Sequence, residues 1–299
     1  MGPSKRDYKV FHSDQDASVN FVRDMPVGML EARYVQRTDE YLIAYLSSQT
    51  ACALSCRMCH LTATGQNKFE NVQPQAFLEQ ADQVLAHFDQ SETPAERIHY
   101  NFMARGEPLD NPYLTLHSQK ILRPLANRAI DRGLGYRFLI STIMPESARD
   151  DELIDIFSDP DLYPEIFYSI YSVDERFRKR WLPRAMHPVV ALGKLKRWQE
   201  ETGKVPKIHF AFIEGENDSE HSVRGVCEAI NEVGLKVNFN IVRYNPPENS
   251  KSRESAIEVI NSNVDLMNQL LKPELSCIVP RVGKDVAASC GMFLSQDDL

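Results

Sequence analysis

The sequence predicts an α/β fold in which strands and helices alternate around a parallel sheet, and three observations predict it. Short β-rich runs and amphipathic runs follow one another from Pro74 onward. Neither a repeat at solenoid periods nor a low-complexity tract interrupts them. The 299 residues, 42% hydrophobic and 25% charged, suffice for a sizeable core in one large domain or two small ones.

The first 27 residues read as polar and irregular. From Gly28 to Ser47, MLEARYVQ and EYLIAYL are strand-like runs separated by Arg37, Thr38 and Asp39, which predicts a hairpin. A helix is expected near Pro74 to Phe88, a strand from Ile98 (IHYNFM), a helix over Tyr113 to Arg132 and a strand from Tyr136 (YRFLIS). The alternation continues with a helix near Asp150 to Ser158, strand EIFYSIY from Glu165, helix Val189 to Glu201, strand KIHFAFI from Lys207 and helix Ser219 to Val233. Strand KVNFNIV from Lys236, helix Ser252 to Leu271 and strand LSCIV from Leu275 complete it. Repeated βα units imply a parallel sheet, open or closed into a barrel, with its active site at the carboxyl ends of the strands.

The charge balance, 34 Lys+Arg against 42 Asp+Glu, gives 34 − 42 = −8 and disfavours a protein that coats nucleic acid by charge alone. A local basic patch remains compatible with it. No apolar run approaches the ~20 residues that span a bilayer, and the N-terminus has no secretory apolar segment, so the expected location is cytoplasmic, away from membranes.

Three of the six cysteines crowd into Cys52-Ala-Leu-Ser-Cys56-Arg-Met-Cys59-His60, a CxxxCxxC spacing on a loop after the hairpin. Three thiolates can hold three irons of a [4Fe-4S] cube and leave the fourth open for a ligand such as S-adenosylmethionine, which chelates through its amino and carboxylate groups. A Cys3His zinc site using His60, a CxxCH haem attachment and plain structural cysteines are the other readings of these residues.

Ser47 to Gln66, SSQTACALSCRMCHLTATGQ, resembles the cluster loop of the RlmN/Cfr branch of radical SAM enzymes, the RNA adenine methyltransferases. Gly106-Glu107-Pro108-Leu109-Asp110-Asn111 resembles that family's GEPLxN, Ser141-Thr142 sits where its next strand ends, and Ser169-Ile170-Tyr171 resembles its Ser-Leu-His. Tyr244-Asn245-Pro246 resembles its Trp-Asn-Pro, and Asp285 to Gly291 its DIxAACG. The match runs in order from about Leu30 to Phe293.

The resemblance implies a partial (βα)6 radical SAM barrel with a short N-terminal hairpin extension: residues 1–37 as the extension and start of the hairpin, 38–299 as the core with its cysteine-bearing C-terminal segment. It assigns Cys52, Cys56 and Cys59 to a [4Fe-4S] cluster, and Gly106, Glu107, Ser141, Ser169, Tyr171 and Asn245 to S-adenosylmethionine. It also implies that Cys290 takes a methyl group from one S-adenosylmethionine. The 5′-deoxyadenosyl radical from a second then activates that group for addition to C2 or C8 of adenine. The implied partners are RNA, ribosomal or transfer, and a flavodoxin- or ferredoxin-type electron donor.

Departures from the family pattern are specific. Tyr45 stands where the family has its resolving cysteine; Cys277, on the last expected strand, is the better substitute, because Cys227 lies within an expected helix. Met58 replaces an aromatic, Arg105 an apolar residue and Tyr171 a histidine. Glu31 matches a family glutamate near the target base. The family's N-terminal accessory domain is expected to be missing. The run Arg176 to Arg184, five cations with Phe177 and Trp181, could meet phosphates and stack a base, or be a solvated helix face; Lys194, Lys196 and Arg197 add a second basic cluster. Two other functions stay open: a radical SAM enzyme of the same ancestry acting on another nucleotide, DNA or a small molecule, and a non-catalytic, metal-stabilised RNA-binding protein.

Overall fold

The computed structural model describes residues 8–248 and 250–298; residues 1–7 of the expected extension lie outside them. One ten-stranded sheet orders its strands as they occur in the chain. Strands β1 (Lys9–His12), β2 (Val19–Asp24), β3 (Met29–Thr38) and β4 (Tyr41–Tyr45) are antiparallel neighbours. From β4 onward every pairing is parallel, through β5 (Arg97–Phe102), β6 (Gly135–Thr142), β7 (Glu165–Ser169), β8 (Lys207–Phe210), β9 (Asn238–Val242) and β10 (Ser276–Val279). Six crossovers therefore join seven parallel strands. Among the described residues β10 pairs only with β9, so the barrel is partial.

The helices are α1 (His60–Ala63), α2 (Pro74–Phe88), α3 (Pro112–Ile130), α4 (Leu153–Ile156), α5 (Glu175–Trp181), α6 (Pro188–Thr202), α7 (Glu220–Glu232) and α8 (Ile257–Leu271). Their starts follow local chemistry. Pro74, Pro112 and Pro188 occupy first turns, where the missing N–H costs nothing. Asn111 caps α3 by accepting from the Tyr113 N–H at 2.9 Å, and Ser219 caps α7 through Ser222 at 3.2 Å. Helix α7 buries Val223, Val226, Cys227 and Ile230, one face at helical spacing, which gives Cys227 a packing role.

Strand alternation divides the apolar from the polar side chains. Ile98, Tyr100 and Phe102 of β5, Phe138 and Ile140 of β6, Ile166 and Tyr168 of β7 and Ile208 and Phe210 of β8 join the main core with the helices. Their neighbours His99, Asn101, Arg137, Phe167, Lys207 and His209 line an interior space. The hydrophobic driving force thus acts on the outer face of the barrel, leaving its inside free for other uses.

Three expectations change. The N-terminal stretch contains strands: β2 buries Val19, Phe21 and Val22 against the sheet and is not irregular. The helix expected over Asp150 to Ser158 shrinks to the single turn α4, which Asp159-Pro160 follows. Helix α8 begins five residues late, because Ser252, Glu254 and Ser255 are committed to Tyr244, Arg243 and Asp218. Among the described residues no helix is long and apolar enough to cross a membrane.

Gly106, four residues beyond the end of β5, has φ +92°, and a Cβ there would stand 2.6 Å from the Gln49 backbone nitrogen. Gly133 also has positive φ, +71°, but faces open space. Gly133→Ala is expected to cost about 1 kcal/mol, the left-handed penalty alone, whereas Gly106→Ala costs several-fold more because Gln49 must move. Urea denaturation of the two variants measures the difference.

Candidate active site

The chain leaves β4 at Tyr45 and lays the cysteine loop across the carboxyl ends of the strands. The Ser48 and Gln49 N–H groups donate to the Arg105 carbonyl at 2.7 and 3.2 Å, and Asn111 Nδ2 donates to the carbonyls of Ser48 and Val72 at 2.6 and 2.9 Å. This lattice holds Cys52, Cys56 and Cys59 around a cavity of about 140 Å³ that Glu107, Ser141, Ser169, Tyr171 and Cys290 also line. Burial pushes the Cys52 thiol up to about 12 and raises Cys56 and Cys59, and neighbouring cysteine charges push Cys52 and Cys56 further. Three such thiols ionise only beside a compensating cation, which iron provides. Among the described residues no three His, Cys, Asp or Glu side chains close on a single metal ion, whereas a cube takes each thiolate on a different iron. The donor set fits that group.

Glu107 is buried across from them. Its Oε1 accepts from the Leu109 N–H and its Oε2 from the Ile143 N–H, each at 3.1 Å, yet burial holds its carboxyl up at about 7. It forms no ion pair among the described residues, so an ammonium entering the cavity would find an uncompensated carboxylate. The buried Ser141 hydroxyl lines the same cavity without a partner. Tyr171 holds φ at +54°, a conformation unusual for a side chain of its size, with its carbonyl accepting from Asn217 Nδ2 at 2.9 Å. That turn places its ring in the cavity wall.

Two expected site residues work differently. Asn245 does not line the cofactor cavity: its Nδ2 donates to the Cys290 carbonyl at 2.9 Å and to Ser289 Oγ at 3.2 Å, while its Oδ1 accepts from Arg281 Nε at 2.9 Å. It therefore positions Cys290. Glu31 is fully buried outside both cavities, with Arg33 at 2.6 Å and Arg105 at 2.7 Å, which corrects the expectation that it faces a substrate base. These arginines hold the C-terminal segment. Arg33 donates to the Met292 carbonyl at 2.7 Å, Arg105 to the Leu294 carbonyl, and both stand over the Phe293 ring. Although burial opposes it, the two guanidinium charges hold the Glu31 carboxyl below its ordinary value.

Below the cofactor cavity the barrel interior opens into a lumen of about 320 Å³. Cys290, Met103, His209 and Val242 line both spaces, so the Cys290 thiol stands in their common wall. Burial pushes that thiol up to about 11. Tyr45 and Cys277 line the lumen too, Tyr45 buried and Cys277 exposed with its thiol donating to Asn240 Oδ1 at 3.2 Å. Cys277 pairs in register with Asn240, two residues or roughly 7 Å along the strand from Val242, whereas Tyr45 feels the Cys290 charge directly. The sequence reading missed Arg37, Asn101, Lys207 and His209, whose signal was the polar alternate positions of the strand runs.

Of the basic runs only Arg178 and Lys194 are buried, while Arg176, Lys179, Arg180, Arg184 and Arg197 face solvent. Arg178 is buried and donates to the carbonyls of Ile170, Ser172 and Met186; Arg180 pairs with Glu216; Phe177 and Trp181 are buried in the core beside Tyr171. Neither ring is available to stack a base. Lys194 and Arg197 are both neutralised by Glu152, and Lys196 by Glu200.

No family model matches the chain. It is 27% identical over 253 residues to the dual-specificity RNA methyltransferase RlmN of Helicobacter hepaticus, covering 83% of this chain and 63% of that protein. To the protein of the same name from Aliarcobacter butzleri it is 26% identical over 266 residues, 88% and 69% of the two chains. The chain is similar to RlmN proteins along most of its length. It spans about two thirds of the length of these curated relatives. Its fold is that of a radical SAM methyltransferase from Sphaerobacter thermophilus, with a TM-score of 0.77 at 18% identity over 95% of this RlmN-like chain and 79% of that one.

Glu31→Gln leaves two buried guanidiniums short of a counter-charge and is expected to cost about 3–5 kcal/mol in urea denaturation, with faster proteolysis around residues 289–294. Because folding lowers the Glu31 pKa, its contribution is complete above the ordinary carboxylate value and is lost as pH falls through the lowered one. The variant should therefore show a shallower loss of stability in acid.

Proposed function

We propose that this RlmN-like chain is a radical SAM methyltransferase that alkylates an sp2 carbon of adenine, C2 or C8, in RNA, with Cys290 as the methyl carrier. The observation that supports the reading most is the place of Cys290, open on one side to the cofactor cavity and on the other to the lumen. A [4Fe-4S] cluster held by Cys52, Cys56 and Cys59 would supply the electron that cleaves S-adenosylmethionine reductively, drawn from a flavodoxin- or ferredoxin-type donor in the cytoplasm. Glu107 takes the ammonium of S-adenosylmethionine, and the Ser141 and Ser169 hydroxyls bind its remaining polar groups. With S-adenosylmethionine bound, Cys290 would hold the sulfur that accepts its methyl group, the sulfonium S–C bond breaking as the new S–C bond forms and S-adenosylhomocysteine leaving.

Asn245 keeps the Cys290 sulfur fixed through the backbone carbonyl during that displacement. Tyr45 lines the lumen with the methyl carrier, and although burial raises its pKa the Arg37 charge beside it favours the phenolate, the form that takes the proton the alkylated ring must lose. Its hydroxyl stands at the position of the family's resolving thiol and cannot close a disulfide with Cys290.

Protein purified from cells should carry a methyl group on Cys290 by peptide mass mapping, and Cys290→Ser should carry none. Absence of that group together with absence of methyladenine in RNA would sink the methyltransferase reading. Glu107→Gln should weaken S-adenosylmethionine binding at least tenfold in equilibrium dialysis. Tyr45→Phe should retain methyl-Cys290 but accumulate a covalent RNA adduct; turnover at the parent rate would remove Tyr45 from the mechanism.

A further inference from the structure

A separate cavity of about 380 Å³ lies between the end of β2, the segment from Glu70 to Gln73 and the first turns of α2. It shares no lining residue with the cofactor cavity or the lumen. Backbone pairing fixes its walls: the Thr50 N–H donates to the Glu70 carbonyl at 3.0 Å, the Glu70 N–H to Thr50 Oγ1 at 2.9 Å, and the Val72 N–H to the Ser48 carbonyl at 3.1 Å. The space is therefore built into the fold.

Arg23 lines this cavity with a side chain only 4% exposed, and its Nη1 donates to Glu79 Oε2 at 2.7 Å, yet its Nε and Nη2 have no acceptor. The Tyr8 ring lies 5.2 Å from the guanidinium carbon and covers the group without supplying an oxygen. Nε and Nη2 together form the edge that grips a carboxylate through two parallel hydrogen bonds. A further donor stands at the start of α2, where Pro74 has no N–H and the Ala76 and Phe77 N–H groups donate to the Gln73 carbonyl at 3.0 and 3.4 Å. That leaves the Gln75 N–H without an acceptor among the described residues, in a first turn that holds no acidic side chain and no side-chain cap.

The same walls carry negative charge. Glu70 forms no ion pair among the described residues, and Glu79 is held only by Nη1 of Arg23. A simple anion would thus meet two carboxylates, and a simple amine would leave the Arg23 edge unused. Only a ligand of both signs answers both sets, and Met25, Leu30 and Val72 add an apolar wall.

We propose that this cavity binds a free α-amino acid with an apolar side chain. Its carboxylate meets the Nε and Nη2 edge of Arg23 and the Gln75 N–H, its ammonium meets Glu70 and Glu79, and its side chain packs on Met25, Leu30 and Val72. The site is independent of the methyl-transfer reading, because none of its residues belongs to that machinery.

The full chain, without cluster or S-adenosylmethionine, is titrated separately with L-leucine, L-methionine and L-phenylalanine, and binding is followed by saturation-transfer difference NMR. At least one should bind, and its amide and its deaminated carboxylate should each bind at least tenfold more weakly. Gln75→Pro removes the free N–H at a first-turn position that tolerates proline, and it should weaken binding several-fold, as should Glu70→Gln; both positions are exposed. Arg23→Met should weaken it at least tenfold, and the ligand series and the two exposed variants decide the question even if Arg23→Met folds poorly. Three outcomes would overturn the site: no binding of any of the three amino acids; equal binding of the deaminated carboxylate or of inorganic phosphate, which makes it a plain anion site; or binding that Glu107→Gln weakens and Gln75→Pro leaves unchanged, which puts the amino acid in the cofactor cavity.

Discussion

Glu31 has no access to water, and both of its carboxylate oxygens end on arginine. Taking one carboxylate and two guanidiniums out of solvent is costly, and the arrangement survives because almost every donor finds an acceptor. Those acceptors are largely the backbone carbonyls of Met292 and Leu294, so the charge cluster is satisfied only when the C-terminal segment lies against β3. The same contacts carry Cys290 to the junction of the two cavities. A buried ion cluster is weak evidence for stability, but here it acts as a register mark that admits one position of the segment. Asp285 adds a second mark at the segment's start, accepting from Ser13 Oγ at 2.7 Å and from the Asp14 N–H at 2.8 Å.

Much of this was legible in the residues. Helix α2 runs from Pro74 to Phe88 as its periodicity requires, and β7 begins at Glu165 where its run of β-formers does, because local preference and tertiary packing agree there. The CxxxCxxC spacing located the cysteine loop, and Gly106-Glu107 a buried carboxylate at a strand end. What escaped depends on partners distant in sequence. Glu31 and Asn245 are ordinary polar letters until Leu294 and Cys290, 263 and 45 residues away, are folded beside them. Strand β2 was hidden for a similar reason, since Asn20 and Arg23 interrupt its apolar pattern and find distant partners, Asn20 in Glu31 and Val286 and Arg23 in Glu79. The run around Arg178 is a solvated helix face for four of its cations, while the fifth, Arg178, turns inward to three buried carbonyls.

The division of labour across the sheet explains how a polar lumen is tolerated. Ile98, Tyr100 and Phe102 and their counterparts on neighbouring strands put the apolar burial outside, under α2, α3, α6 and α7. The inner positions are thereby released from packing. Similar arithmetic governs the cofactor cavity, where Glu107 and Ser141 retain capacity that the fold itself does not use. Both spaces are built incompletely satisfied, which is the ordinary signature of a site awaiting ligands.

The pairing of residues 283–294 with β2 and β3 also imposes a schedule. Asn20 Nδ2 donates to the Val286 carbonyl across 266 residues, and the contacts of Arg33 and Arg105 span comparable distances along the chain. During synthesis the cysteine loop emerges more than two hundred residues ahead of Cys290, so its thiols spend most of translation without the segment that helps wall their cavity. The stretch that seals the chemistry from water thus leaves the ribosome long after the loop it covers, and oxidative loss of the loop thiols is greatest in the nascent chain.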